Sequence, residues 1–338
     1  MRIYSLVSSL ILLPTPTLAF QAPTKGWKGR HGLAMTSDAS SSASSLDITV
    51  VGGSGFVGSK VCQSLLEKGA KVTSVSKSGK VPPFAWCDES WTSKVDWVAA
   101  DLETADESSI DAAVGSPQCI VSCLGVIGND PEVLKKGNGV INCAAFASAK
   151  RGGKLERAVY VSVSAEVAAC QENWLPEFFG GYFEGKKMAE QCALDAAGGD
   201  SSKVCFVKPT FIYGGDSFGL IPPRVNKEYG SFIEELLSLG LIKFFADITP
   251  GLIKVALRPP SSVDAVAEAC VSAAIAGPAL GKVLDGAAEI NEITNQPAAT
   301  GLTDAIEFAS QKLGETYEWA KEELPKAAAK LEEMSKSK

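Results

Sequence analysis

A glycine-rich turn constrains the fold of this chain more than any other feature. The apolar run DITVV at 47–51 predicts a strand, and it leads directly through VVGGSGFVGSK into a predicted helix over 57–69. Such a turn needs glycine because the backbone must approach a pyrophosphate without an intervening Cβ atom, and the helix N-terminus then offers free N–H groups. The spacing satisfies both G-x-x-G-x-x-G and G-x-G-x-x-G, in the strand–turn–helix context that the motif requires. The residues expected to contact a dinucleotide here are Gly52, Gly53, Ser54, Gly55, Phe56, Val57 and Gly58.

Beyond this turn, short apolar runs alternate with amphipathic segments. Strands separated by helices predict an α/β fold with a doubly wound parallel sheet, the Rossmann fold. After residue 214 the regularity is lost, and apolar residues with frequent charges over 215–260 predict a small, mainly helical C-terminal cap, not a membrane span. The cap can also be interpreted as a mobile lid over an apolar substrate. The predicted strands lie at 47–51, 71–76, 96–102, 118–125, 157–165, 203–214 and 282–290, and the predicted helices include 57–69, 107–114 and 134–150.

The chain divides into four predicted segments. A basic residue, a short apolar run and a small-residue cleavage site indicate a signal peptide, and the acid-poor composition that follows is typical of a transit peptide. The junction LAFQAP resembles the two-part presequence of algal plastid proteins, which favours a plastid; a mitochondrion, or secretion with a plain linker, are the alternatives. The segments are a presequence over 1–45 that is removed, a dinucleotide-binding domain over 46–214, a substrate cap with late sheet elements over 215–293 and an amphipathic helical tail over 294–338.

The charge balance excludes several classes of function. Removal of 1–45 takes away four positive residues and one negative residue, so the formal net charge changes from −7 to −10. An acidic domain without a basic cluster is unsuited to binding nucleic acid. The only histidine, His31, is lost with the same segment. We therefore predict no histidine-activated nucleophile and no metal site.

The nine cysteines are spread singly along the chain and form no C-x-x-C pair. Such spacing does not indicate a zinc site or a disulfide framework. We predict buried free thiols in a reducing compartment, which argues against secretion as the final location.

The heptapeptide GYFEGKK at 181–187 sets Tyr182 and Lys186 four residues apart. On a helix these two side chains would lie on one face and touch. The Y-x-x-x-K spacing is weak evidence alone, but it follows the glycine turn and is followed by KPTFIYG at 208–214. With these motifs the chain resembles the short-chain dehydrogenase/reductase superfamily, in its extended and atypical branches. Within them it is similar to the group that contains the 39 kDa subunit of respiratory complex I and related chloroplast and mitochondrial proteins.

This resemblance covers 47–293 and implies roles for individual residues. It implies that Tyr182 is the acid/base, and that Lys186 lowers the pKa of the Tyr182 phenol and binds the ribose hydroxyls. It implies that Ser164 hydrogen-bonds the substrate oxygen, with Ser162 as the reserve choice on the same strand face. Other matches in order are Asn138, which is included among the catalytic residues, Asp101–Leu102 as an adenine-contacting pair and RPPSSVDAVAEA at 258–269. The further cofactor contacts implied are Asp101, Leu102, Leu124, Gly125, Lys186 and Pro209.

The end of the second predicted strand bears on the choice between NAD and NADP. An NAD-binding protein usually carries an acidic residue there, which holds the ribose 2′-hydroxyl and repels a 2′-phosphate. This chain has Ser76 and Lys77 instead. The substitution favours NADP, with NAD as the alternative, although Lys77 can also be interpreted as a solvated loop charge.

The leading hypothesis is an NAD(P)-dependent oxidoreductase that moves hydride to or from a carbonyl or alcohol carbon of an apolar small molecule. Only 17 residues separate Ser164 from Tyr182, and the cap is small and apolar, which disfavours a nucleotide sugar. The loop SCLG after the fourth strand departs from the family pattern, and relatives in this branch can bind a dinucleotide without turnover. The alternative is a non-catalytic dinucleotide-binding accessory subunit of an organellar membrane or quinone-biosynthesis complex. The expected partners are a small apolar substrate and either a protein partner or a lipid surface.

Overall fold

Seven parallel strands form the main sheet of the computed structural model, which describes residues 46–171, 175–177, 179–215, 219–220 and 223–294. The strands are β1 (Asp47–Val51), β2 (Lys71–Ser76), β3 (Asp96–Ala99), β4 (Cys119–Ser122), β5 (Arg157–Val161), β6 (Val204–Lys208), β7 (Ile212–Tyr213), β8 (Gly219–Leu220), β9 (Pro223–Arg224), β10 (Ser261–Ser262) and β11 (Val283–Asp285). Across the main sheet the order is β3–β2–β1–β4–β5–β6–β11, and each neighbouring pair is parallel. This order confirms the predicted doubly wound fold.

Helices connect these strands and form the C-terminal cap. They are α1 (Phe56–Glu67), α2 (Glu89–Thr92), α3 (Glu107–Val114), α4 (Pro131–Lys135), α5 (Ile141–Arg151), α6 (Ala165–Ala168), α7 (Phe179–Ala196), α8 (Lys227–Leu237), α9 (Gly240–Ile248), α10 (Gly251–Ala256), α11 (Val263–Ala274) and α12 (Gly286–Thr294). A π-helical turn over Lys136–Val140 joins α4 to α5.

The hydrophobic core lies on both faces of the sheet. On one face α1 packs against α11, and Val50 lies in this cluster. On the other face α7 packs against α5, and Val51 lies in that cluster. Successive strand residues point to opposite faces, so a strand covered on both sides needs a continuous apolar run. In β1 this requirement is met by Ile48, Val50 and Val51, and the buried Thr49 hydroxyl donates to the Val114 carbonyl at 2.9 Å.

The cap helices α8, α9 and α10 confirm the predicted helical cap. Ion pairs connect the cap to the sheet domain. The Arg258 guanidinium lies 2.6 Å from the Glu166 carboxylate and 2.8 Å from the Asp247 carboxylate, and the Lys254 ammonium lies 3.1 Å from the Glu166 carboxylate. None of the helices in the described ranges is long and apolar enough to cross a membrane. The domain boundary at residue 214 stays a prediction.

Several predicted element boundaries are wrong. The strand predicted at 282–290 is limited to β11, because Gly286 has a φ of +83° and the chain continues as α12. The strand predicted at 203–214 is interrupted at Pro209, which has no N–H group for a ladder hydrogen bond. The helix predicted at 134–150 begins earlier, at Pro131, and contains the π-helical turn. The presequence 1–45 and all but the first residue of the helical tail predicted over 294–338 lie outside the described residues.

The prediction that all cysteines are free thiols is wrong for one pair. Cys143 of α5 and Cys192 of α7 form a disulfide, with Cα atoms 5.2 Å apart. These residues are 49 positions apart in sequence, and only the packing of α5 against α7 brings them within bonding distance. The other seven cysteines are free. Free thiols therefore argue less strongly against secretion as the final location than the sequence alone indicates.

Candidate active site

An open groove lies where the strand order reverses, between the carboxyl ends of β1 and β4. This crevice is the usual ligand site of doubly wound sheets. The groove has a volume of about 630 Å³ and is lined by Gly52, Gly55, Ser76, Lys77, Ser78, Cys123, Leu124 and Gly125. Six of these residues belong to the predicted cofactor set, so the fold brings together segments that are more than 70 positions apart in sequence.

The glycine turn has no room for side chains at its critical positions. Gly52 has a φ of +83°, and a Cβ atom there would lie 3.1–3.2 Å from Cys123 and Leu124 atoms. A Cβ atom on Gly58 would lie 2.2 Å from the Gly52 carbonyl oxygen. Gly55 instead has a single close neighbour, that same oxygen at 3.0 Å, and it lines the groove. The turn therefore has no Cβ atoms at Gly52, Gly55 and Gly58 and lies at the N-terminus of α1. This cradle of glycines fits a dinucleotide pyrophosphate.

The other residues of the turn hold it in place. The Ser54 hydroxyl donates to the Lys80 carbonyl at 2.6 Å and lies 2.9 Å from the Ser76 hydroxyl oxygen. The Phe56 ring contacts the rings of Phe84 and Trp86 edge-on. Val57 packs against the core. These contacts fasten the turn to the segment that follows β2.

Lys77 forms an ion pair that the sequence did not reveal. Its ammonium lies 2.8 Å from the Asp101 carboxylate, and both groups are partly exposed. Each hydrogen-bonded partner stabilises the charge of the other, so the pKa of Asp101 is lowered and the pKa of Lys77 is raised. Asp101 therefore lies beside the position predicted for a 2′-phosphate. Its neighbour Leu102 is buried in the core, so its side chain faces away from the solvent.

Lys186 is buried beside the groove. Only 5% of the residue is exposed, and Nζ donates to the carbonyl oxygens of Val161 at 3.0 Å and Leu124 at 3.4 Å. The ammonium also lies 4.9 Å from the ring centre of Tyr160 and 5.8 Å from that of Tyr182. Burial disfavours the charged form and lowers the pKa of Lys186 to about 8.

Tyr182 is half-buried on the same helix, one turn before Lys186. Burial raises the pKa of its phenol to about 12, because the phenolate would lose solvation. A phenol of this pKa needs stabilisation by positive charge before it can exchange protons near neutral pH. The Lys186 ammonium is the cation on the same helix face that can provide it.

Two glycines that sequence reasoning missed position this pair. Gly181 and Gly185 immediately precede Tyr182 and Lys186, and they have the same four-residue spacing. A Cβ atom on Gly181 would lie 2.0 Å from the Pro131 carbonyl oxygen, and one on Gly185 would lie 2.8 Å from that of Lys135. The backbone of α7 therefore contacts α4 directly. This contact fixes the positions of Tyr182 and Lys186, which follow the two glycines in sequence. The G-x-x-x-G spacing within GYFEGKK was the available signal.

The structure distinguishes the two candidate serines. The Ser162 hydroxyl donates to the Glu190 carboxylate and is therefore engaged. The Ser164 hydroxyl accepts from the Glu166 N–H at 3.3 Å as the N-cap of α6. Among the described residues this leaves the Ser164 O–H available as a donor. The contacts favour Ser164 over Ser162 for binding a substrate oxygen.

Glu190 is a further site residue that sequence reasoning missed. It lies one helical turn beyond Lys186 on α7, and its carboxylate receives both the Ser162 hydroxyl and the Lys208 ammonium, the latter at 2.8 Å. The Ser164 N–H in turn donates to the Pro209 carbonyl at 3.2 Å. These contacts join α7 to the carboxyl ends of β5 and β6.

Asn138 has a positioning role in the structure. It is fully buried in the π-helical turn, where its amide bonds both the N–H and the carbonyl of Val126 and also the Leu134 carbonyl. A Cβ atom on Gly125 would lie 3.3 Å from the Asn138 Oδ1 atom and 3.4 Å from Lys186 Nζ. Asn138 therefore holds the loop after β4 against Lys186. Its direct part in catalysis stays a prediction.

The chain is similar to several known proteins. The family model described as the NAD dependent epimerase/dehydratase family matches residues 48–244. An uncharacterized chloroplastic protein of Arabidopsis thaliana is 32% identical over 238 residues, which cover 67% of this chain and 70% of the relative. A putative dihydroflavonol 4-reductase of Synechocystis is 28% identical over 157 residues, or 44% of each chain. Among solved structures, the Bordetella bronchiseptica enzyme WbmF in complex with NAD⁺ and UDP is 18% identical, with 89% of this chain and 99% of that chain covered and a TM-score of 0.48.

The family match begins in β1 and includes both the glycine turn and the Tyr182–Lys186 pair. It confirms the resemblance to the extended short-chain dehydrogenases/reductases. The chain belongs to the NAD dependent epimerase/dehydratase family.

Proposed function

We propose that the protein is an NADP(H)-dependent oxidoreductase that interconverts a carbonyl and an alcohol on an apolar small molecule. The observation that carries this proposal is the position of the buried Lys186 ammonium. It donates a hydrogen bond to the carbonyl of Leu124, a residue that lines the groove, and it lies 5.8 Å from the centre of the Tyr182 ring. Burial of an ammonium costs free energy, and groups whose pKa is shifted by burial are frequent at functional sites.

The residues of the groove fit a dinucleotide. The cradle at Gly52–Gly58 would hold the pyrophosphate, Lys186 would bind the ribose hydroxyls, and the loop at Leu124–Gly125 would lie beside the nicotinamide ribose. When bound, the nicotinamide supplies or accepts the hydride.

Tyr182 is the proposed proton donor and acceptor. In the reducing direction its O–H gives a proton to the substrate oxygen, and in the oxidising direction the phenolate takes that proton back. The Lys186 charge lowers the free energy of the phenolate in both directions. Ser164 donates a hydrogen bond to the same substrate oxygen and orients it.

An apolar substrate is supported by the residues around the site. The loop after β4, which begins beside Leu124 and Gly125 of the groove, exposes Val126 and Ile127. The short span between Ser164 and Tyr182 leaves little chain for binding a nucleotide group.

An assay of NADPH oxidation with a panel of apolar ketones, enones and quinones tests the reaction class. The alcohol or hydroquinone products are identified in the same reactions. Dinucleotide binding without any net oxidation or reduction, but with isomerisation of an added sugar nucleotide, would replace this proposal by an epimerase.

We expect Lys77→Ala to weaken NADP(H) binding about 10- to 100-fold, because a charged contact to a phosphate contributes about 1.5–3 kcal/mol. NAD(H) binding should change little. Asp101→Asn should have the opposite effect on NADP(H), because it frees Lys77 and removes a carboxylate that repels the 2′-phosphate. Fluorescence titration of both dinucleotides measures these shifts.

Lys94→Ala is the matched control for this titration, because Lys94 is an exposed lysine that precedes β3, at the amino ends of the strands, whereas Lys77 follows the carboxyl end of β2. Equal affinities for NAD(H) and NADP(H) in the unmodified protein would contradict the NADP assignment. So would a Lys77→Ala variant that keeps its preference for NADP(H).

The pH profile should respond to Glu190. Burial lowers the pKa of Lys186 to about 8, while Cys123 and Glu190 act to raise it. Cys123 has a pKa of about 12 and is therefore uncharged near pH 8, which leaves Glu190 as the active negative charge. Activity that needs the Lys186 cation falls as pH rises through its pKa. We expect Glu190→Gln to lower that pKa, so the alkaline fall begins at a lower pH, by up to about one unit.

Glu184→Gln is the control for Glu190→Gln, because Glu184 lies on the same helix and pairs with Lys135 away from Lys186. Profiles of kcat against pH that coincide for the unmodified protein and Glu190→Gln would refute this role for Glu190.

The plastid is the proposed location, supported by the composition of 1–45 and by the chloroplastic relative. A fluorescent reporter fused to residues 1–45 separates a plastid from a mitochondrion or from secretion.

A further inference from the structure

Tyr160 of β5 lies beside the Lys186 ammonium in the protein interior. Its side chain is completely buried, and its ring centre is 4.9 Å from Lys186 Nζ, whereas the ring centre of Tyr182 is 5.8 Å from the same atom. The ammonium therefore faces two aromatic rings, one from the sheet and one from α7. The proposed proton transfer uses Tyr182 and gives no role to Tyr160.

The buried charge of Lys186 has no acidic partner among the described residues. Its Nζ atom donates to the carbonyl oxygens of Val161 at 3.0 Å and Leu124 at 3.4 Å. Glu190, one helical turn further along α7, pairs with Lys208 at 2.8 Å instead. Removal of an ammonium from water costs free energy unless other groups stabilise its charge. Here the structure supplies two carbonyl dipoles and the face of an aromatic ring.

Hydrogen bonds hold the Tyr160 ring in this position. Its hydroxyl donates to the Asn138 carbonyl oxygen at 3.1 Å, and the same oxygen accepts from the Asn142 amide at 3.0 Å. The Asn142 Oδ1 atom in turn accepts from the Ser122 hydroxyl, and all four of these residues are completely buried. Burial raises the pKa of the Tyr160 phenol well above its ordinary value, so the ring is neutral. A buried network of this kind fixes one orientation of the ring.

A neutral ring suits this position better than a carboxylate would. A carboxylate in contact with Lys186 would cancel most of the positive potential that the ammonium exerts on the Tyr182 phenol. The face of an aromatic ring attracts a cation through its quadrupole, whose field decreases more steeply with distance than that of a full charge. The Tyr160 ring can therefore stabilise the ammonium and leave its charge available to Tyr182.

We propose that Tyr160 is a positioning residue of the site, whose ring face holds the Lys186 ammonium in place and keeps it charged. The consequence for proton transfer by Tyr182 rests on the proposed function, whereas the stabilisation of the Lys186 charge by Tyr160 does not.

The expected effect concerns the pKa of Lys186, which burial lowers to about 8. Among the described residues, the other titratable side chains that face Lys186 are Cys123 from the loop after β4 and Tyr182 and Glu190 from α7, the last paired with Lys208 of β6. Burial raises the pKa of the Cys123 thiol and of both phenols, so these groups are uncharged near pH 8. Loss of the Tyr160 ring removes a group that favours the ammonium form, so the pKa of Lys186 should fall further, by about one unit.

A ¹³C NMR titration of protein labelled at the lysine Cε atoms measures this pKa without any need for turnover. The Lys186 signal is identified by its absence from the spectrum of Lys186→Met. Tyr160→Phe keeps the ring and should leave the Lys186 pKa nearly unchanged, whereas Tyr160→Leu should lower it by about one unit. Phe146→Leu is the matched control, because Phe146 is also completely buried and its ring is in edge contact with that of Tyr160 at 6.0 Å. It removes a ring from the same cluster and leaves the one beside the ammonium in place.

Circular dichroism establishes that each variant is folded. If Tyr160→Leu does not fold, trifluorophenylalanine in place of Tyr160 gives the same test, because fluorine preserves the shape of the ring and withdraws negative charge from its face. The proposal is overturned if the Lys186 pKa stays unchanged or rises when the ring is removed or fluorinated. It is also overturned if Phe146→Leu lowers that pKa equally, since packing alone would then explain the fall.

Turnover provides a second and separate measurement. Activity that needs the Lys186 cation falls as pH rises through its pKa, so the alkaline fall in kcat should begin at a lower pH in Tyr160→Leu and not in Tyr160→Phe. A protein that shows the expected fall in the Lys186 pKa but has no oxidoreductase activity would refute the proposed function and leave the role of Tyr160 in stabilising the charge intact.

Discussion

Replacement of Tyr182 by phenylalanine is expected to lower turnover about 10²–10⁴-fold, the usual contribution of a general acid/base. The substitution removes one oxygen atom and keeps the ring, which is in edge contact with Phe183 at 5.2 Å. Lys186 keeps its hydrogen bonds to the Val161 and Leu124 carbonyls. Folding and dinucleotide affinity should therefore be preserved, and the loss should appear in kcat. Steady-state kinetics with dinucleotide titration on the same preparations measures both.

Tyr213→Phe is the matched control for this loss. It removes the same atom from a tyrosine whose hydroxyl donates to Glu234 in the cap, at 2.6 Å. Its effect on kcat should be far smaller than that of Tyr182→Phe. If Tyr182→Phe is silent while Gly55→Asp abolishes both dinucleotide binding and stability, the protein is a dinucleotide-binding accessory subunit and the enzymatic proposal fails.

Replacement of Gly181 by alanine is expected to destabilise the protein by about 3 kcal/mol, at the upper end of the usual overpacking range. The new Cβ atom would lie 2.0 Å from the Pro131 carbonyl oxygen and 2.7 Å from its carbon, and both are backbone atoms that cannot rotate away. The helix α7 must therefore shift from α4, which also displaces Tyr182 and Lys186. Thermal unfolding should show a Tm lower by about 6–12 °C, and kcat should fall with it.

Gly240→Ala provides the control for Gly181→Ala. Gly240 is also helical, at the start of α9, and a Cβ atom there meets no atom within 4 Å. It should leave the Tm unchanged or raise it slightly, because alanine favours helix. An unchanged Tm in Gly181→Ala would mean that the close contact between α7 and α4 does not set the site.

Local features made much of the fold predictable. Gly52 and Gly58 belong to one turn of seven residues, and Tyr182 and Lys186 are one helical turn apart. Both motifs can therefore be recognised from their spacing in the sequence. The apolar strands were recognisable because both faces of the sheet are covered. By contrast, KVLDGAAEI at 282–290 is a short apolar run whose periodicity does not separate strand from helix, and only part of it is a strand.

Contacts between distant segments were not predictable in the same way. Lys77 meets Asp101 because β2 and β3 are neighbours in the sheet, so the cation proposed for a 2′-phosphate already has a carboxylate partner. The choice of Ser164 over Ser162 depends on Glu190, which approaches from another element. The Cys143–Cys192 bond depends on the packing of two helices. Each of these facts depends on tertiary packing that spacing along the chain does not encode.

Transfer of deuterium from the dinucleotide to a substrate would directly reveal an NADP(H)-dependent reductase. The protein would be incubated with NADPH deuterated at the reactive C4 position and a lipid extract of its own organism, and the products would be analysed by mass spectrometry. We expect one deuterium on carbon in an alcohol product, present with the unmodified protein and reduced at least about 100-fold with Tyr182→Phe. Tight binding of the dinucleotide with no deuterium in any product would contradict it.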